Sequence, residues 1–243
     1  MAELSRADLS AWDILVPMTF VDQDVLRNAG MDGRGALVPE AWPRDLCRDK
    51  LVLNRWLIDA GFCALVPRMY SAPPGAGSAW PLMRKARRGE WGSGIAVLSG
   101  PSEAGAIDPD TTFLQEIVST GVEWAAHLTL HGGQLIHAAS VRHDMGSAGL
   151  VKGRDNKPVR STLVPEVPHL ALWMEIAAAL GLRNGTICID FAQVAGRPVL
   201  YEINPRFGAS LVRDLPRYLD ALSQVTVPVA LQPDHAVSST VIS

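Results

Sequence analysis

The stretch Gly185–Gly208, GTICIDFAQVAGRPVLYEINPRFG, decides the reading of this chain. Thr186–Ala192 puts Ile187, Ile189 and Phe191 on one face at the two-residue period of a strand. Val194–Arg197 contains Gly196 and reads as a hairpin turn, after which Pro198–Ile203 returns as a second strand. Such a ribbon carries Asp190 and Glu202 side by side, and Asn204, two residues on, shares the face of Glu202. Two carboxylates and an amide oxygen held that close repel one another unless a cation sits between them. An all-oxygen donor set suits Mg²⁺, which usually also takes phosphate oxygens from a nucleotide. Arg206 follows and points a fixed fork at a phosphate or carboxylate. An Asp and a Glu alone equally fit an exposed hairpin with ordinary surface charges. The full order D-F-x(10)-E-I-N-P-R is much harder to reach by accident.

Composition sets the frame around this hairpin. The 243 residues are 48% apolar and 19% charged, which is globular and long enough to bury a good core. The net charge of −3 gives no reason to expect nucleic acid or an anionic membrane as partner. The densest apolar segment, Leu170–Leu182, is interrupted by Glu175, and the polar, acidic start MAELSRADLSAWD does not resemble a signal peptide. Cys47, Cys63 and Cys188 are widely spaced, as reduced thiols of a cytoplasmic protein would be. His127 and His131 sit four apart on a strand-like run and read as surface polar residues on one face.

Upstream of the hairpin, Asp13–Thr19 is a compact apolar run of buried-strand type, and Val21–Asn28 is an amphipathic helix stopped by Gly30. Arg44–Ala60 reads as one helix with Gly61 as its C-cap. Trp80–Ala86 is strand-like, and Gly89, Gly92 and Gly94 punctuate a loop before the strand Ile95–Leu98. Glycines there let backbone N–H groups close over phosphates, and Lys85 adds a charge beside them. A plain glycine-turn hairpin is the alternative, with Arg87 and Arg88 as surface residues; the spacing fits neither a Walker loop nor a Rossmann turn. Phe113–Val118 is a strand, and Glu123–Leu130 pairs with Gln134–Val141 through a turn at His131–Gly133. Gly146–Ser161 reads as a basic mobile loop, Pro168–Leu182 as a helix behind the sheet, and Ala209–Ser223 as a final helix that Pro216 kinks.

The run E-I-N-P-R behind a hairpin Asp resembles the metal signature of the ATP-grasp superfamily, of the biotin carboxylase and carbamoyl phosphate synthetase type. The preceding motifs follow in the family's order: Asp49–Lys50, then Lys85 with the glycine loop, then Glu116 and Glu123. The resemblance implies an α+β fold in which two small mixed or antiparallel sheets, with helices, clasp a nucleotide. It implies ATP and Mg²⁺ (or Mn²⁺) as cofactors, with Asp190, Glu202 and Asn204 as metal ligands. Lys50 and Lys85 would steady the phosphates, with Gly89, Gly92 and Gly94 as a lid that excludes water. Glu116, Ile117 and Val118 would be the adenine linker, Glu123 would hold the ribose, and Arg206 would stabilise an acyl phosphate. Residues 1–43 would be the remnant of a pre-ATP-grasp region, 44–112 the subdomain with the phosphate loop, 113–224 that with the metal hairpin, and 225–243 a tail.

The implied chemistry is carboxylate activation. ATP would phosphorylate a carboxylate, and an amine, from an amino acid or peptide, would displace the phosphate to form an amide. A non-catalytic nucleotide- or peptide-binding module, or a kinase or carboxylate–thiol ligase on the same fold, are the alternatives. The short region before Asp13–Thr19 implies that a second copy or a partner subunit covers that edge.

Overall fold

The computed structural model describes residues 8–9, 12–32, 35–75, 80–89, 94–104, 107–146 and 157–225. The helices are α1 (Phe20–Asn28), α2 (Ala41–Arg48), α3 (Lys50–Asp59), the single turn α4 (Pro101–Ala104), α5 (Leu170–Ala179) and α6 (Leu215–Ser223). Strands β1 (Met69–Tyr70), β2 (Leu82–Ala86), β3 (Ile95–Leu98) and β4 (Thr112–Glu116) form one antiparallel sheet in the order β1-β4-β2-β3. Strands β5 (Val122–His131), β6 (Gln134–Asp144), β7 (Arg160–Val164), β8 (Gly185–Val194) and β9 (Arg197–Asn204) form a second, ordered β7-β6-β5-β8-β9. This is the expected α+β architecture of two sheets.

Alternation along the strands of the larger sheet separates a greasy back from a polar front. Ala126, Leu128, Ile187, Ile189, Phe191, Leu200 and Ile203 pack with Leu53 and Leu57 of α3 and Trp173 and Ile176 of α5. Trp173 is fully buried, its ring centroid 4.9 Å from that of Phe191. The front carries Glu123, His127, Thr129, Cys188 and Asp190, so the site lies on the face that no helix of this cluster covers. The β8–β9 turn is Ala195–Gly196 with φ of 49° and 78°, the double left-handed geometry of a two-residue hairpin.

Four expectations change. The single helix over 44–60 is two helices, because Asp49 turns extended (φ −105°, ψ 101°) and its carboxylate accepts from Leu51 N and Val52 N to cap α3. Residues 13–19 form no strand and join neither sheet; Leu15 N donates to Gly35 O at 2.6 Å. Ile14 and Val16 pack with Leu37, Phe207, Leu211 and Tyr218, whereas Leu15 packs with Leu26 and Met31. The run joins two small cores instead of forming a sheet edge. The final helix begins as a 3-10 turn over Ala209–Asp214, and Pro216 sits in the first turn of α6 without kinking it. Strand β7 was not expected, since Arg160 and Ser161 read as part of a loop. The start of the chain, the middle of the 146–161 stretch and the tail lie outside the described residues. No described helix is long and apolar enough to cross a membrane.

Gly185 opens β8 at φ +92°, and a Cβ there would lie 2.7 Å from Pro39 Cδ. Gly185→Ala should therefore destabilise the fold by about 2 kcal/mol or more, lowering Tm by roughly 4–8 °C in a thermal melt. An unchanged Tm would mean that the β8 entrance is not held as described.

Candidate functional site

The β8–β9 register pairs Asp190 with Glu202 and Cys188 with Asn204, so both carboxylates and the amide share the front face. Among the described residues no three His, Cys, Asp or Glu side chains converge as a metal-holding group, so a donor set here needs Asn204 as its third member. Its chemistry fits a hard divalent cation, because every donor is oxygen. One of these carboxylates already attracts a cation: Lys50 Nζ lies 3.3 Å from Glu202 Oε2.

Lys50 is the first residue of α3, and its Nζ also donates to Gly89 O at 2.7 Å. It therefore spans from the β8–β9 hairpin to the foot of the glycine loop. That foot is pinned to α3 a second time. Arg87 forks onto Asp49, with Nη2 2.7 Å and Nε 3.1 Å from Oδ2, and Lys50 N donates to Arg87 O at 2.8 Å. Burial raises the Asp49 carboxyl, but the Arg87 bond and the two helix N–H groups outweigh it and hold the pKa below the usual range. Arg87, read from sequence as a surface residue, is thus a structural clamp; Arg88, with its side chain 80% exposed, does lie at the surface. At the other foot Ala86 N donates to Gly94 O at 2.9 Å. Gly94 takes φ +73°, where a Cβ would meet that of Ala86 at 2.6 Å. Gly92 lies outside the described residues.

Lys85, on β2, is buried although charged. Burial pulls its pKa down to about 8, opposed by Glu202 and Glu123 and reinforced by Lys50. It is the cation of the smaller sheet that faces the carboxylates of the larger one. Glu123, opposite His143 on the β5–β6 ladder, is also buried, whereas Glu116 at the end of β4 is exposed. Ile117 and Val118, half-buried, lie in the connection between the sheets.

Tyr201 was not foreseen here. Strand alternation puts the residue before Glu202 on the opposite face, but the ladder runs from Asp190↔Glu202 to Phe191↔Leu200 and leaves Tyr201 extra. A bulge re-aims a side chain. Tyr201 OH donates to Val118 O at 2.6 Å, and its ring centroid is 5.9 Å from Lys85 Nζ. Burial raises its phenol pKa, and Glu123 and Asp190 add to the rise.

Beyond the carboxylates, Arg206 is buried; its Nη1 donates to Phe207 O at 3.2 Å and its N to Asn204 O at 2.7 Å. The chain then lies against the sheet at Gly208, where a Cβ would fall 2.5 Å from His127 Cε1 and 2.6 Å from Cys188 Sγ. His127 is fully buried, with Nε2 2.8 Å from Ser210 Oγ, and is not the surface residue expected. A register shift between Thr129 and Leu130 separates it from His131, which is exposed. Further along, His137 Nε2 and Asp214 Oδ2 are 2.9 Å apart, and Thr186 Oγ1 and Tyr218 OH 3.0 Å apart, fixing the 3-10 turn and α6 to the same face.

The chain matches no protein-family model and no curated protein. Its fold does match solved structures. Biotin carboxylase from Campylobacter jejuni, as a β,γ-ATP complex, aligns with TM-score 0.58 at 15% identity over 93% of this chain and 56% of that one. The D-alanine–D-alanine ligase of Bacillus anthracis complexed with ATP gives 0.54 at 15% identity over 85% and 74%. An L-amino acid ligase from Bacillus licheniformis gives 0.54 at 17% identity, over 79% of this chain and 47% of that one, so the chain spans about half its length. The chain has the ATP-grasp fold.

Proposed function

We propose that this protein is an ATP-dependent carboxylate–amine ligase whose acid and amine are amino acids or small peptides. The observation that carries the reading is the placing of Lys50, at the start of α3, and buried Lys85, on β2, against Glu202, which the β8–β9 ladder pairs with Asp190. Such a cluster is costly to bury and has a use where phosphates and a divalent cation meet. The similar structures whose names mention ATP and amino acid ligation support it.

On this reading Lys50 and Lys85 bind the phosphates, and Glu123 and the 117–118 backbone bind the nucleoside. Asp190, Glu202 and Asn204 would hold Mg²⁺ or Mn²⁺, which would supply neutralisation of the charge on the transferring phosphoryl group. Arg206 orients the substrate carboxylate and then holds its phosphorylated form. One oxygen of that carboxylate attacks the γ-phosphorus and ADP leaves. The amine nitrogen next attacks the acyl carbon, and phosphate leaves with the electron pair of the broken C–O bond. Asp190 and Glu202, as metal ligands, have no proton to move in either step.

ADP release should be measured with Mg-ATP and each of the twenty proteinogenic amino acids, singly and in pairs. Release that requires an acid, with phosphate and an amide formed in equal amount, is expected. A protein that binds ATP yet releases no ADP with any pair would overturn the ligase reading.

A further inference from the structure

The groups assigned above handle phosphate, metal and carboxylate, but none of them takes the proton of the amine. An amine of ordinary basicity enters near neutral pH as ammonium, with no lone pair to attack with. A ligase of this kind needs a base at the acceptor end of its site, and the ladder indicates where that end lies. Across β5, β8 and β9 the front-face residues fall in rows: Ala125, Asp190 and Glu202 form one, and His127, Cys188 and Asn204 the next, about 7 Å along the strands. Glu202 in the carboxylate row and, less strongly, Glu123, which precedes that row on β5, both act on Lys85, so the phosphate-binding cation lies from that row toward the Glu123 side. Attack and departure are in line across the transferred phosphoryl group. The carboxylate that attacks the phosphorus therefore lies on the opposite side, toward the next row, and the amine meets its acyl carbon there.

That row holds a hydroxyl–imidazole pair. His127 Nε2 and Ser210 Oγ are 2.8 Å apart; the imidazole is buried and the serine half-buried. Gly208 lets the chain descend onto the row, since any side chain there would strike both His127 and Cys188. Ser210 follows Arg206 by four residues along the same descending segment. The oxygen is thus on the side of the site where an acyl group held by Arg206 meets its nucleophile.

We propose that Ser210 is a catalytic residue that receives the proton of an ammonium-type amine and relays it to His127. Ser210 Oγ takes one proton from the ammonium while its own proton passes to His127 Nε2, which frees the nitrogen lone pair. The C–N bond then forms as the acyl C–O bond breaks, and the second proton that the nitrogen sheds goes to the departing phosphate. The relay requires the tautomer with Nε2 unprotonated in the resting enzyme. Phosphate takes the electron pair of the broken bond, so charge and atoms balance without a further reactant. The inference rests on the ligase reading.

The test compares two nucleophiles on one acid. Each of the twenty amino acids is supplied as acid donor with Mg-ATP, and the nucleophile is either a second amino acid or hydroxylamine, which is largely unprotonated at neutral pH and needs little help from a base. Ser210→Ala should lower amide formation about 100-fold near neutral pH while hydroxamate formation falls no more than about threefold. The amide deficit should shrink as pH rises toward the pKa of the amine, and Ser210→Thr, which keeps the hydroxyl, should restore most of the rate. His127→Asn should reproduce the pattern if it folds; the serine variants decide the matter if it does not. Equal loss with both nucleophiles, or no loss with either, would reduce the pair to a structural pin and overturn the proposal. Wild-type protein that makes neither product with any acid would overturn the ligase reading, and this inference with it.

Discussion

Glu202→Gln should lower turnover by about three orders of magnitude and leave the fold standing. The substitution keeps the size of the side chain and one oxygen but removes the charge that a divalent cation needs. It also strips Lys50 of its partner at 3.3 Å and Lys85 of the carboxylate that most raises its pKa. Both lysines remain to meet phosphates, so nucleotide affinity should change much less than turnover. Glu202 is half-buried on an edge strand, outside the apolar core, so the melting temperature should stay within a few degrees of wild type. Turnover with saturating Mg-ATP, alongside Mn²⁺ binding followed by its paramagnetic signal, measures both parts. Wild-type turnover in this variant would remove Glu202 from the metal set.

Lys85→Met should weaken ATP binding about 100-fold and leave the empty protein as stable as wild type or more so. The two effects have opposite signs because this ammonium is buried, which costs stability, yet it faces a place where phosphates can use its charge. The same cause gives a pH dependence. In the folded protein Lys85 loses its proton at about 8, below the ordinary value of 10.5, because burial disfavours the cation. Bound phosphates raise that pKa, so binding takes up a proton between the two values. Wild-type ATP affinity should therefore fall as pH rises above about 8, by at most tenfold per unit, and the Met variant should be flat there. For folding itself the cost of the buried cation is full below about 8 and is gone once the pH passes 10.5, so the Lys85 contribution favours stability at the alkaline end. Titration calorimetry at several pH values checks the slope, and parallel curves for the two proteins would place the Lys85 ammonium away from the phosphates.

The β8–β9 hairpin was legible because two local rules fix it. A two-residue turn sets the register, and a period of two then sets which residues share a face, so Asp190, Glu202 and Asn204 could be grouped without knowing what packs behind them. What was missed depends on partners distant in sequence. The helix break at Asp49 looks like continuous helix locally, and its cause is partly Arg87, 38 residues away. Tyr201 escapes alternation through a bulge that no turn residue announces. His127 belongs to the interior only because Gly208 and Ser210 come to lie on it from the far end of the chain. Strand β7 is short and half-buried, and its partner β6 is what defines it. A glycine two residues after E-I-N-P-R was the one available hint that the backbone there must approach something closely.

Lys50 has two claims on it, from Glu202 at 3.3 Å and from the carbonyl of Gly89 at 2.7 Å. On the proposed reading, a divalent ion arriving alone meets a carboxylate already neutralised, and a nucleotide arriving alone meets an ammonium already engaged. Phosphates that draw Lys50 toward themselves uncover Glu202, and a metal on Glu202 releases Lys50 to the phosphates. The two ligands then load cooperatively, and linkage requires each to tighten the other by the same factor. On that reading the loading of both ligands turns on which of three partners holds a single ammonium group.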